Sequence, residues 1–182
     1  MKLKYAVLPA AVAMLFSAAA SAADTSDTVH DQGRIYFLGS VKAPTCVVND
    51  GQKNFTVMLG DFEMSRFPEG RTQVRGNETV EVKLTECTGH WANLKLEASD
   101  RYTDDLIKFA ETSNSAKGLA LGLKTEDSLT APFIKVNGKE SNWKKIDNKN
   151  ATFHFYPFIY QLADLVESGK LRAQVSYTIR YV

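Results

Sequence analysis

Residues 169–182, Gly-Lys-Leu-Arg-Ala-Gln-Val-Ser-Tyr-Thr-Ile-Arg-Tyr-Val, alternate between apolar and polar side chains over almost their whole length. Successive side chains of an extended chain point to opposite faces. Leu171, Ala173, Val175, Tyr177, Ile179 and Tyr181 therefore line one face of a strand, and Lys170, Arg172, Gln174, Ser176, Thr178 and Arg180 line the other. No hairpin partner follows this strand, so the expectation is a sheet edge with unpaired backbone groups. Natural proteins blunt such edges with proline or inward-facing charge. Neither is present here, and the edge is expected to accept a partner strand.

The 182 residues suit a single domain, and 44% hydrophobic content with 10% aromatics suffices for a packed core. The beginning of the chain reads as a targeting segment. Lys2 and Lys4 supply positive charge, residues 6–20 are apolar, and Ala20-Ser21-Ala22 or Ser21-Ala22-Ala23 offers small residues for cleavage. The mature chain is expected to start at Ala23 or Asp24. No other run approaches the roughly 20 apolar residues that a membrane-spanning helix needs.

Removing residues 1–23 takes away two lysines and no acid, which moves the formal charge from +1 to −1. Near neutrality argues against a nucleic-acid or anionic-membrane binder, each of which wants a clustered basic surface. Export places Cys46 and Cys87 in an oxidising compartment, where a bridge between them is the simple reading and two free buried thiols the alternative. A bridge across their separation of 41 residues contributes roughly 4 kcal/mol in the chain-entropy estimate.

Period-two patterns recur after the targeting segment. Ile35, Phe37, Gly39 and Val41 predict a first strand, Phe55, Val57 and Leu59 a second, and Val80, Val82 and Leu84 a third. Leu94 with Leu96, Leu119 to Leu123, and Phe153 with Phe155 continue the series. Turn-forming stretches such as Asn49-Asp50-Gly51, Asn137-Gly138 and Asp147-Asn148 separate them. Short strands with turn signals between them predict an antiparallel sandwich. One or two helical turns are expected within residues 99–110 and 161–168, and Pro157 should mark an edge or a bulge. Ahead of the first strand, residues 24–33 form a polar arm whose one large apolar residue is Val29. When extended, Val29, Asp31, Gly33, Ile35 and Phe37 share a face, with the glycine leaving room for another backbone to approach.

Signals of catalysis are poor. His30, His90 and His154 are scattered without metal-ligand or base–nucleophile spacing, and no nucleophile elbow, phosphate-binding glycine loop or dinucleotide fingerprint occurs. No cofactor is expected, nor any metal or catalytic residue. Trp91 and Trp143 could stack on a sugar or a partner, although indoles on sandwich loops more often pack locally.

In order, these pieces resemble the pilin subunits of chaperone–usher fimbriae, the type 1 and P pilus superfamily of Gram-negative bacteria. Gly33-Arg-Ile-Tyr-Phe-Leu-Gly-Ser-Val41 resembles the opening strand, with Cys46 thirteen residues after the glycine. Leu59-Gly60 and Leu84-Thr-Glu-Cys87 resemble the segments that follow. Gly169, fourteenth from the end, and the penultimate Tyr181 match the family's chaperone-recognition pattern.

The resemblance implies an all-β, incomplete immunoglobulin-like sandwich lacking its seventh strand and completed by donor-strand complementation. It implies three segments: a signal peptide at 1–23, an N-terminal donor arm at 24–37 and a pilin domain at 38–182. The acceptor would comprise Gly169, Leu171, Ala173, Val175, Tyr177, Ile179, Tyr181 and Val182, whose carboxylate would be available to basic residues of the chaperone. The donor would comprise Val29, Asp31, Gly33, Ile35 and Phe37. Expected partners are a periplasmic fimbrial chaperone, an outer-membrane usher and neighbouring pilins, with a host receptor only indirectly and no nucleic acid. The expected location is a cell-surface fimbria reached through the periplasm. The alternatives are a single-domain adhesive pilin, a base terminator, or an unrelated secreted sandwich acting as a binding module or hydrolase.

Overall fold

A strand of eleven residues, β8 (Ala151–Gln161), organises the fold. In this computed structural model, which describes residues 34–68 and 70–182, it forms the centre of the larger of two antiparallel sheets. Along one edge of β8 lie β3 (Val80–Thr85), opposite Ala151–Phe155, and then β2 (Gln73–Arg75), opposite Phe158–Tyr160. Along the other edge lies β6 (Leu119–Lys124), followed by β5 (Leu106–Lys108). The two-residue β1 (Val47–Val48) extends β3. The smaller sheet has the order β7 (Asn142–Lys145), β4 (Trp91–Glu97), β9 (Ser176–Tyr181).

Pro157 sits within β8 and is fully buried, although proline was expected only at an edge or bulge. Its carbonyl accepts the N–H of Gly76 at 2.8 Å, so that side of the residue faces the interruption between β2 and β3. The missing N–H therefore falls where no partner strand runs, and the ladder loses little.

The core lies between the sheets. Leu94 and Leu96 of β4 oppose Val82 and Leu84 of β3, Leu121 of β6, and Phe153 and Phe155 of β8, all nearly inaccessible. β6 is buried on both faces. Phe133 covers its outer side at Gly122, and Lys124 reaches the carbonyls of Ser128 and Leu129 at 3.0 and 2.8 Å. The ammonium also lies 4.8 and 4.5 Å from the rings of Phe133 and Phe158, so a buried charge is satisfied by carbonyls and aromatic faces. Burial pushes its pKa down from the usual value. Cys46 and Cys87 are joined, with Cα atoms 4.1 Å apart. The bridge ties the chain before β1 to the turn after β3.

The strands expected around Val80, Leu94, Leu119 and Phe153 are present as β3, β4, β6 and β8. Others differ. The chain divides between Ser40 and Val41. Residues 34–40 carry no strand, and Ile35, Tyr36, Phe37 and Leu38 are all highly exposed. Phe55, Val57 and Leu59 lie on an extended segment that joins neither sheet. The turns expected to be helical in 99–110 and 161–168 are not. The first holds β5 and the bridge Arg101↔Ile107, and the second holds the bridge Lys117↔Glu167. Pairing across sequence outweighs weak helical spacing in both. The targeting segment and the arm residues Val29, Asp31 and Gly33 lie outside the described residues.

Candidate functional site

The final segment does not run as one strand from Gly169 to Tyr181. It changes partner midway. Lys170 and Arg172 bond to the chain around residues 110–116: Ala116 N–H donates to Lys170 O, Lys170 N–H to Asn114 O, and Ala110 N–H to Arg172 O at 2.7 Å. From Ser176 onward the segment is β9, paired with β4 from Ser176↔Glu97 to Tyr181↔Ala92. Among the described residues, β9 has a strand partner on one edge only.

The alternation read from the sequence survives this change. Leu171, Val175, Tyr177, Ile179 and Tyr181 are half-buried and pack against the core, while the intervening residues are exposed. Ala173 departs from the pattern and is exposed; it lies between the stretch bonded to residues 110–116 and the start of β9. Val182 is not wholly available for outside contacts: one of its carboxylate oxygens accepts from the N–H groups of His90 and Trp91, at 2.7 and 3.0 Å. Gly169 packs so closely on the backbone of Ser115 and Ala116 that a Cβ there would collide with it. A glycine is required to bring these two segments together.

Between the segments 166–177 and 53–67 lies a trough of about 1450 Å³. Its floor is the core itself, made of Val80 and Val82 of β3, Leu119 to Leu123 of β6, Leu96 of β4, and Phe155 and Pro157 of β8. The volume exceeds the roughly 300–1,000 Å³ of an ordinary small-molecule pocket, and the lining is a length of apolar residues bounded by backbone. Such a shape suits a polypeptide segment.

The wall at 53–62 is extended but outside the sheets. It is held by a bond from Asn77 N–H to Leu59 O at 2.8 Å and one from Met58 N–H to the Glu78 carboxylate at 2.7 Å. Gly60 has φ of +98°, and its Cα lies against the Asn77 side chain, so position 60 favours glycine on both grounds. The two walls meet where the Tyr177 hydroxyl donates to Lys53 O at 2.7 Å and the Phe55 ring packs near Tyr177 at 6.4 Å. Ile179 and Tyr181, read in the sequence as part of the same face, pack on the core beyond this latch and do not line the trough. Burial raises the pKa of Tyr177, and burial together with the nearby Tyr177 raises that of Tyr181.

Sequence reasoning singled out residues 169–181, of which 169–177 line one side of the trough, and missed the opposite side. The alternation of Phe55, Val57 and Leu59 marked an extended segment there, but its place outside the sheets follows from pairings made elsewhere.

A model of the family described as "Fimbrial protein" matches residues 35–182. The Fimbrial-like protein FimF of Salmonella typhimurium is 29% identical over 81% of this chain and 83% of its own length. The Type-1 fimbrial protein subunit of Serratia marcescens is 26% identical over 98% of this chain and 99% of its own. A subunit in a solved chaperone–usher pilus structure superposes with a TM-score of 0.58 at 13% identity, over 85% of this chain and 98% of that one. A two-sheet sandwich with a trough floored by its core, matched over nearly its whole length by fimbrial subunits, belongs to the fimbrial protein family, the structural subunits of bacterial pili.

Proposed function

We propose that the trough is an acceptor for a β-strand supplied by another molecule, and that this chain polymerises into a surface fimbria by donor-strand exchange. The observation that carries the reading is the coincidence of an apolar-floored trough of about 1450 Å³ with the unpaired edge of β9 and the 169–175 segment beside it. An apolar trough of this size with an open strand edge beside it is an aggregation hazard. Strand addition removes it by pairing backbone groups and seating alternate side chains, and chaperone–pilin complementation is among the general examples of that mode.

In this reading a periplasmic chaperone first occupies the trough. At an outer-membrane usher, the N-terminal arm of a neighbouring subunit then replaces it. The acceptor side chains are Leu171, Val175 and Tyr177, with Gly169 setting the wall; Ile179 and Tyr181 anchor β9, and Ala173 and Val182 contribute backbone. The donor side chains are Val29, Ile35 and Phe37, with Asp31 and Gly33 between them. Ile35 and Phe37 are 82% and 92% exposed, as a segment awaiting another subunit's trough would be. The boundaries proposed are a cleaved segment at 1–23, the arm at 24–37 and the sandwich at 38–182. The role is structural and not enzymatic. Adhesion then depends on the fibre that the subunit helps to build.

The test expresses the mature chain in the periplasm with and without a fimbrial chaperone, and again with residues 24–37 deleted. Aggregation or proteolysis is expected without the chaperone, and a soluble one-to-one complex with it. The deletion should leave that complex intact but prevent the subunit from adding to a preceding one. A durable monomer produced without any chaperone refutes the reading.

A further inference from the structure

On the side of the smaller sheet away from the core, two exposed indoles flank a buried amide with an unused donor. Ala92, Leu94 and Leu96 face the core, so Trp91, Asn93 and Lys95 face outward. Asn93 stands opposite Trp143 on β7 and Arg180 on β9, and Trp91 stands opposite Lys145. Trp91 and Trp143 are thus diagonal neighbours on adjacent strands, within reach of one ligand. They are 46% and 54% exposed.

Asn93 is only 3% exposed, and its Nδ2 has no hydrogen-bond partner. A buried, unused amide donor carries a free-energy penalty that an incoming acceptor removes.

We propose that this face binds an acidic saccharide. An indole offers a flat apolar surface with a negative face, complementary to the C–H face of a pyranose. A ring hydroxyl seated between the indoles, with the rings turned slightly apart, accepts from Asn93 Nδ2. Arg180, opposite Asn93 on β9, supplies a guanidinium complementary to a sugar carboxylate. Lys145, opposite Trp91, lies 3.4 Å from Asp147, whereas Arg180 enters no ion pair among the described residues. The face lies on the other side of the sheet from the trough, so the inference stands or falls independently of strand exchange.

These are the two tryptophans of the chain, so the difference in tryptophan fluorescence from an assembly whose chain carries Trp91→Phe and Trp143→Phe reports on this face alone. The chain is titrated, in the assembly in which it leaves the periplasm, with 3′-sialyllactose and separately with lactose. A saturable change with sialyllactose is expected, with lactose at least about tenfold weaker. Trp143→Ala should abolish binding, while Trp143→Phe retains part of it. Arg180→Glu, an exposed substitution on the outer face of β9, should reduce the preference for the acidic sugar about tenfold. Equal responses to both sugars overturn the proposal, as does no saturation by about 10 mM. A spectral change that follows chain concentration without sugar overturns it too, and assigns the face to a second copy of the chain.

Discussion

Placing a charge in the wall of the trough separates binding from folding. Leu171 is half-buried, packs against the core on one side and lines the trough on the other. In the empty chain an aspartate at 171 can turn toward water in the trough, so Leu171→Asp should reduce folding stability by only about 1–2 kcal/mol, part of a buried leucine's worth. Once a strand fills the trough, the same carboxylate is shut in. The complex then loses about 2 kcal/mol of apolar burial and bears several kcal/mol of ion desolvation. A total of at least about 4 kcal/mol corresponds to roughly a thousandfold loss of affinity.

The assay is fluorescence anisotropy of a labelled peptide of residues 24–37 added to domain 38–182 freshly refolded at a concentration low enough to outpace its aggregation, with urea unfolding of each variant in parallel under the same conditions. Thr178→Asp is the control: Thr178 is exposed on β9, opposite Lys95, and does not line the trough. It should leave peptide affinity within about threefold, under 1 kcal/mol. Peptide affinity of Leu171→Asp within threefold of wild type, at unchanged folding stability, would show that the trough is not where the strand goes.

Reducing the Cys46–Cys87 bridge, or replacing both cysteines by alanine, should lower stability by about 2–4 kcal/mol, read as a shift in urea midpoint at constant slope; an unshifted midpoint counts against a stabilising role. Gly169→Val forces a side chain into the backbone of Ser115 and Ala116 and should cost about 1–3 kcal/mol, whereas an unstrained substitution at exposed Lys170 should cost under about 0.5 kcal/mol. Tyr177→Phe removes the bond to Lys53 O and should cost about 0.5–1.5 kcal/mol near neutral pH. Because burial raises the Tyr177 pKa above its usual 10.0, the folded state keeps a proton that the unfolded state gives up. That stabilisation is complete below pH 10 and is lost as pH rises through the folded value. The stability gap between wild type and Tyr177→Phe should therefore narrow in urea titrations above pH 10, and a gap that widens there contradicts the assignment.

The period-two runs around Val82, Leu94, Leu121 and Phe153 determined an all-β sandwich by themselves, because alternation at that spacing buries one face in a strand and in nothing else. The bridge between Cys46 and Cys87, the two cysteines of the chain, was legible as well. The half-buried face of Leu171, Val175, Tyr177, Ile179 and Tyr181 was equally legible, since inward parity depends only on residue order.

Partnership was not legible, since hydrogen bonds between strands join residues whose order along the chain says nothing of who meets whom. The tertiary structure alone decided that Phe55, Val57 and Leu59 would wall the trough outside both sheets, and that residues 170–172 would bond to 110–116 while 176–181 joined β4. It alone decided that Pro157 could stand inside the longest strand, opposite a gap. The sequence carried each segment's preference for extension and for burial of one face. Which edges found partners, and which one was left open above the core, depended on long-range pairing that becomes definite only when the whole chain is folded.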